Sequence, residues 1–400
     1  MKTLPRLIPP GTVYDATRLN QLAADIVGLT FHKSSGSAGN VTHRVTLVRV
    51  LNFSRLLLTE LVALVVYSSL PQWAQPRGSF ILDYGPRICL ALTAFSLIVV
   101  TILDAAKYLE NAEIFEKLHR VDEKLKVLLK SQPDHDAQRR DIWIASAVAT
   151  ACLLLLLIVT PIILVSEVGS VTNALLNAVL TLLFNTAYAI VYGNYMIKSY
   201  LVTKRFQQVN QLLESRLNTS NRRSFIWVRE LPAKNANEAD FVQTLSEIHA
   251  ELHQTVDLLS EYQWIQIILI SAVVIGFTTF NIFSVYRMLW TGNSSQFGVL
   301  VQGCLWNVYY IGLLVALLVR CSLVGWEGSK TNKLIYKALN NSKDHRTVAS
   351  LRSFARQLYG VPVCVKLYFY DADFGTLFSA FGTIVTYLII LLQFENMASY

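Results

Sequence analysis

Seven stretches of this chain are long and apolar enough to cross a lipid bilayer as helices, and no other feature narrows its possible folds as much. They cover residues 47–70, 80–103, 142–165, 171–197, 264–288, 297–320 and 375–394. A hydrocarbon core of about 30 Å is spanned by about 20 residues in helical form. Only 16% of residues are charged, against about 25% in a soluble domain. The expected fold class is therefore all-α: a polytopic membrane protein of seven transmembrane helices with membrane lipid as its solvent. Its second span carries Asp83 and Arg87 in the first turns. The seventh follows an interrupted amphipathic stretch, VPVCVKLYFYDADF, so this helix is expected to be broken in two.

The orientation is written in Lys and Arg. Segments 104–141, 198–263 and 321–374 carry eight each, and the N-terminal segment holds Lys2, Arg6, Arg18, Lys33 and Arg44. The intervening linkers are short and nearly free of them. Positive charge is retained on the cytoplasmic side, so the N-terminus is expected inside and, after seven crossings, the C-terminus outside. The net charge of +8 then records cytosolic loops and not a nucleic-acid partner. Asn293-Ser294-Ser295 on the outer side is a glycosylation acceptor, although similar triplets at Asn40, Asn218 and Asn340 fall in expected cytosol. The N-terminus shows no apolar core of a cleavable signal peptide, so insertion is expected to begin at the first span.

Three domains follow. Residues 1–320 hold spans one to six with a ligand-pocket region in the outer half and cytosolic loops (104–141, 198–263). Residues 321–374 form a cytosolic amphipathic anchor segment, and 375–400 the last helix. Phe241, Leu245, Ile248, Leu252 and Leu259 recur at three- and four-residue steps, a helical seam that runs into the fifth span. Residues 198–217 extend the fourth span in the same way. Leu334, Ile335, Ala338, Leu339, Val348, Leu351 and Leu358 make a third amphipathic region, and 218–240 reads as a loop. Such extensions pack as a helical bundle, within one protomer or between several.

Enzyme chemistry is not expected. His249 and His253 stand one turn apart, but the zinc-protease pattern needs Glu directly after the first His, and Glu251 lies two on. A solvated helix face is the better reading of the pair. No phosphate-binding glycine loop, nucleophile elbow or clustered Cys/His set is visible, so no cofactor and no metal are expected. The cysteines Cys89, Cys152, Cys304, Cys321 and Cys364 have no paired spacing, which argues against a disulfide framework.

Polar stripes inside the spans carry more information. Asn173, Asn177, Thr181, Asn185, Tyr188, Tyr192 and Tyr195 form one face of the fourth span. Facing lipid would leave its amides unpaired, so it faces other helices or a wet cavity. Asp83, Tyr84 and Arg87 of the second span, Thr278, Thr279 and Asn281 of the fifth, and Gln302, Trp306, Asn307, Tyr309 and Tyr310 of the sixth lie in the same outer half. Aromatic walls with a few polar anchors suit a small molecule. The candidate ligand-binding residues are Asp83, Tyr84, Arg87, Asn173, Asn177, Thr181, Thr278, Asn281, Trp306, Asn307 and Tyr310. An interfacial aromatic belt accounts for Tyr286 and Trp290.

The seventh span ends in TYLIILLQF. Gln393 closes an apolar run with an amide whose burial without partners costs roughly 2–7 kcal/mol. Thr383, Thr386, Ile390, Gln393 and Phe394 fall on or near one side of a helix. As a pore wall, hydroxyls line the inner part, Ile390 narrows it, and Gln393 with Phe394 closes the outer end. Asp371 and Asp373 at the inner mouth and Glu395 at the outer one favour cations. One helix encloses nothing, so several copies around an axis are required.

Here the sequence resembles a known family. Thr386, Tyr387, five apolar residues, Gln393 and Phe394 match the C-terminal Thr-Tyr-(apolar)5-Gln-Phe signature of insect gustatory receptors, within the insect chemoreceptor ion-channel superfamily. Asp371 and Leu377-Phe378-Ser379 resemble the family's approach to its last helix. The resemblance implies a ligand-gated, nonselective cation channel passing sodium, potassium and calcium, built as a homo- or heterotetramer with other gustatory receptors. It implies pore and gate positions at Thr383, Thr386, Tyr387, Ile390, Gln393 and Phe394, a small-molecule tastant as ligand, and the plasma membrane of a sensory neuron dendrite. Sugar-sensing members often carry an acidic residue after Thr-Tyr. Leu388 stands there, which points toward a bitter or other aversive tastant. Two alternatives stay open: a G-protein-coupled-type seven-helix receptor, which needs its N-terminus outside, and an obligate heteromeric subunit that does not conduct alone.

Overall fold

A computed structural model of the chain describes residues 80–129, 135–168, 171–217, 238–291, 297–368 and 370–398, with Val13, Thr17, Lys33–Ser35, Thr42–Arg44, Ser54 and Leu58 before them. The first expected span, 47–70, otherwise lies outside the described residues, as does most of the 218–240 loop. Each of the other six expected spans is helical. The helices are α1 (Phe80–Ala106), α2 (Tyr108–Leu129), α3 (His135–Val168), α4 (Val171–Leu217), α5 (Glu238–Thr291), α6 (Phe297–Asn341), α7 (His345–Leu358) and α8 (Phe374–Ala398). Short antiparallel hairpins, β1–β2 (Lys33–Ser35, Thr42–Arg44) and β3–β4 (Lys366–Leu367, Tyr370–Asp371), complete the described elements.

Length decides the architecture. The 54 residues of α5 rise about 80 Å at 1.5 Å each, more than twice the hydrocarbon thickness, so half of the helix must project beyond the membrane. The same holds for α4 and α6, with 47 and 45 residues. Each therefore has an apolar sector and a polar sector, and the expected extensions are continuous with their spans. Residues 108–129 of the expected loop 104–141 are helical too: α1 turns by 61° into α2, whose Phe115, Leu118, Val121 and Leu125 bury one face.

The polar sectors are sealed against one another by a buried core. On α5 the expected seam is buried throughout, with Leu245, Ile248, Leu252 and Leu259 fully enclosed. They meet Leu201, Phe206 and Val209 of α4, Ile335 of α6, and Leu351 and Phe354 of α7 in one core. The third amphipathic region divides between α6 and α7, because Asp344 caps α7 by accepting from Thr347 N at 2.9 Å and starts a new helix. Its carboxyl is held below the usual range by those Thr347 bonds.

Buried polar groups tie the helices together. Arg205 is fully enclosed and forks onto Asp122, Nε to Oδ1 at 3.0 Å and Nη2 to Oδ2 at 2.9 Å, with Nη1 donating to Gln138 at 3.0 Å. The guanidinium thus joins α2, α3 and α4 with the planar fork geometry that Arg alone offers. Between α4 and α6, Gln207 and Asn210 donate to the buried carboxylate of Glu327, both at 3.1 Å.

One expectation needs correction. His249 does not lie on a solvated face: it is 1% exposed, with its ring edge-on to Phe206 and Phe354 at 5.2 and 5.7 Å. Burial, then the charge of His253, lowers its pKa to about 4, so it packs as a neutral aromatic. His253 is half-buried beside Asp257, Nδ1 to Oδ2 at 3.1 Å. No group of three metal-ligating side chains occurs among the described residues. The break expected ahead of the last helix is present: α7 ends at Leu358 and α8 begins at Phe374. Residues 361–365 have no regular secondary structure and lead into the β3–β4 hairpin.

Candidate functional site

The last helix is set into the bundle through a strap. Val363 lies against α6 at Gly328, where an added Cβ would come within 2.6–2.8 Å of its side-chain carbons; only glycine permits this approach. Lys366 N donates to Ser260 Oγ of α5 at 3.1 Å. At the hairpin turn Tyr368 takes φ 60°, costly for an aromatic residue, while its ring stacks on Trp264 of α5 at 4.9 Å. Asp373 accepts from Thr376 N at 3.0 Å and opens α8. Asp371 accepts from Cys364 Sγ at 3.4 Å. Burial first and the neighbouring carboxylates next push that thiol up to about 11.

From there α8 touches the rest of the chain along one edge. Ile384 is buried, and Leu377, Leu388 and Leu391 are half-buried. At 100° per residue these fall on one side, toward α5 and α6. Gly375, Ser379, Gly382, Thr386 and Gln393 fall on the opposite side and are exposed. Ile390, 37% exposed, borders this small and polar stripe. Phe394 and Tyr387, at 56% and 55%, stand at its flank. The Thr383 and Thr386 hydroxyls donate back to Ser379 and Gly382 carbonyls at 2.8 and 2.9 Å, so the wall offers their oxygen lone pairs. Glu395 departs from expectation. It is not a free acid at the outer mouth, because Arg287 Nη1 of α5 lies 3.1 Å from its Oε1.

The expected pocket residues divide. Side chains of Asp83, Tyr84, Arg87, Asn173, Asn177 and Thr181 lie outside the described residues, as does Asn293. The others converge. Trp306 Nε1 donates to Thr160 Oγ1 at 3.0 Å, Asn281 Nδ2 to Asn307 Oδ1 at 3.2 Å, and the Tyr310 hydroxyl to Asn185. Gly303 leaves room for the Asn281 amide, whose Oδ1 would sit 3.0 Å from an added Cβ. Phe277 stacks on Tyr310 at 6.3 Å, and Trp306, Tyr309 and Tyr310 lie mutually within 5.7–5.9 Å. In the inner half of the α4 stripe, Tyr188 pairs with Ser96 and donates to Thr93 O at 3.1 Å, and Tyr195 bonds to Cys321 Sγ at 3.1 Å.

Around the cluster, Thr278 Oγ1, Gln302 Oε1, Tyr309 OH and Tyr192 OH are buried with no partner among the described residues. Buried groups of this kind call for water or a ligand. Sequence reasoning missed Thr160 and Phe277. Thr160 is one hydroxyl in an apolar run and Phe277 one apolar residue among many, so neither carried a local signal.

These features define a class: a multi-pass helical membrane protein with a polar, aromatic cluster among its apolar sectors and a last helix left open along most of its surface. Residues 24–398 match the family described as 7tm chemosensory receptor, and the chain belongs to that family. Over 121 residues it is 26% identical to Gustatory and pheromone receptor 32a of Drosophila melanogaster, a stretch covering 30% of this chain and 26% of that protein. Its fold is similar to the solved insect olfactory receptor OR5 from Machilis hrabei, with a TM-score of 0.68, 11% identity, and 95% of this chain and 99% of that chain covered. The same receptor in complex with eugenol gives 0.64 and 13%, covering 94% and 97%.

Proposed function

We propose that this chemosensory receptor is a gustatory receptor acting as a ligand-gated, nonselective cation channel for sodium, potassium and calcium. It assembles as a tetramer in the plasma membrane of sensory neurons, with its N-terminus inside, its C-terminus outside and α8 lining a central pore. The observation that carries this reading is the stripe of Gly375, Ser379, Gly382, Thr386 and Gln393 turned away from the chain's own bundle. Against lipid the Gln393 amide would stay unpaired; around a shared axis it meets water. Phe378, Phe381, Val385 and Ile389, exposed in the single chain, supply apolar flanks for neighbouring copies. In this arrangement Ile390 and Phe394 form the gate and Gln393 the outer filter.

The ligand is an external small molecule, partly apolar, held by the Trp306–Tyr309–Tyr310 rings with Asn281, Asn307, Thr278 and the outer residues of spans two and four. The similarity to OR5, which has also been solved in complex with eugenol, supports a small aromatic ligand. Leu388 supports a bitter or aversive tastant over a sugar. The ligand opens the channel by binding the open arrangement more tightly than the closed one.

The test is to express the chain alone and record currents against sugars and bitter compounds. A bitter compound is expected to evoke a current that reverses near zero, and Gln393→Ala to change its permeability or gating. Unchanged currents in that variant remove the pore assignment. Current only on co-expression with another receptor favours the heteromeric subunit.

A further inference from the structure

The ion pair at the end of α8 joins two residues that are each solitary. Arg287 is the only Lys, Arg, Asp or Glu in residues 264–291 of α5, and Glu395 the only one in α8. They meet at 3.1 Å, with side chains 18% and 24% exposed. Glu395 sits in the last turn of its helix, where an acid opposes the helix dipole, so local helix stability does not explain its presence. Its direction does. Glu395 lies two residues beyond Gln393, and at 100° per residue their side chains point about 200° apart. With Glu395 held on α5, Gln393 is aimed away from the bundle.

Elsewhere α8 has little to fix its rotation. Among the described residues, no side chain between Leu377 and Phe394 bonds to another helix; the two threonines bond within α8. Apolar contact along one edge resists separation but tolerates rolling. The polar fastenings are at the ends: the Asp373 cap and strap at one, Arg287–Glu395 at the other. Arg287 also lies less than two turns beyond Asn281, which belongs to the pocket cluster.

We propose that the Arg287–Glu395 pair is a rotational latch. It positions α8 so that Gln393 faces the axis, and it carries movement of the α5 end, next to the ligand cluster, to the gate. Both residues are positioning residues. The functional half of this inference rests on the channel reading, while the structural half stands without it.

The experiment has two arms on the full chain: Arg287→Gln, Glu395→Gln, the double neutralisation, and the charge swap Arg287→Glu with Glu395→Arg. In purified protein, amide hydrogen exchange over residues 388–398 should rise about two- to five-fold in each single variant, as expected for loss of a partly exposed pair. The double neutralisation should add nothing further, as two members of one interaction are not additive. In cells, the concentration–response midpoint should shift in one direction for both single variants, with permeability ratios moving toward those of Gln393→Ala, and both should return toward wild type in the swap. Unchanged exchange, or additive effects of the two neutralisations, overturns the latch. Altered exchange in a chain that never conducts keeps the latch and sinks the channel reading. Altered exchange with normal gating confines the pair to holding the helix end and overturns its role in coupling.

Discussion

Along the polar sectors of α4, α5 and α6, successive turns have buried partners: Leu201, Phe206, Leu245, Leu252, Ile335 and Phe354 are sealed within one chain. Along α8, which is at least as apolar, Phe378, Phe381, Val385, Ile389 and Phe394 stay exposed. The first region is finished within one chain, and the second is left uncovered by it; in the proposed tetramer, lipid and neighbouring copies cover that face. Stability and function are thereby separated. Substitutions in the polar sectors should act on folding, whereas substitutions on the open face of α8 should act on what passes along it.

The sharpest test of the sealed region is Arg205→Leu. It strands the Asp122 carboxylate, and breaking a buried pair costs about 3–5 kcal/mol. The expected outcome is loss of the monodisperse peak in size-exclusion of solubilised protein, with Asp122→Leu added in cis recovering part of it. A normal thermal midpoint in the single variant would show this region to be less dry than its geometry indicates.

His249 gives the next effect through pH. Its folded value of about 4 lies below the ordinary 6.5. Between these values the unfolded chain binds a proton that the folded chain refuses, so this stability is full above pH 6.5 and falls as pH drops. The loss approaches about 3 kcal/mol near pH 4. Thermal scans from pH 7 to 4.5 should show this decline, and His249→Phe should flatten it.

Gly328→Ala comes third. Its Cβ would press on Val363, and overpacking of this kind costs about 1–3 kcal/mol; a thermal shift measures it. Because Val363 belongs to the strap that delivers α8, the variant also asks whether the sealed region speaks to the open one.

The smallest stability effect is expected where the functional effect is largest. Gln393→Leu on the exposed face should leave the thermal midpoint within about 0.5 kcal/mol of wild type while altering ion permeation. A strongly destabilised Gln393→Leu would collapse the contrast between the two regions.

Much of this was legible in the linear chain. The α5 seam could be read from Phe241 to Leu259 because the helical period is a local property. The polar stripe from Asn185 to Tyr195 could be read because lipid leaves amides nowhere else to go. His249 was misread since its ring is buried by Phe206 and Phe354, which lie on helices distant in sequence. The break before α8 could be read in VPVCVKLYFYDADF, whereas its hairpin form could not, because it depends on contacts to Ser260 and Trp264.

The sequence by itself determined that this chain is helical, that it crosses a membrane repeatedly, and that its helices run on beyond it. Those properties follow from periodicity and from the cost of unpaired backbone in hydrocarbon, both set within a few turns. Only the tertiary structure decided that Arg205 meets Asp122, that Asn281 meets Asn307, and that Glu395 is bound to Arg287 with Gln393 turned outward. Side chains from separate helices make those choices, and their meeting depends on how whole helices are rotated and packed.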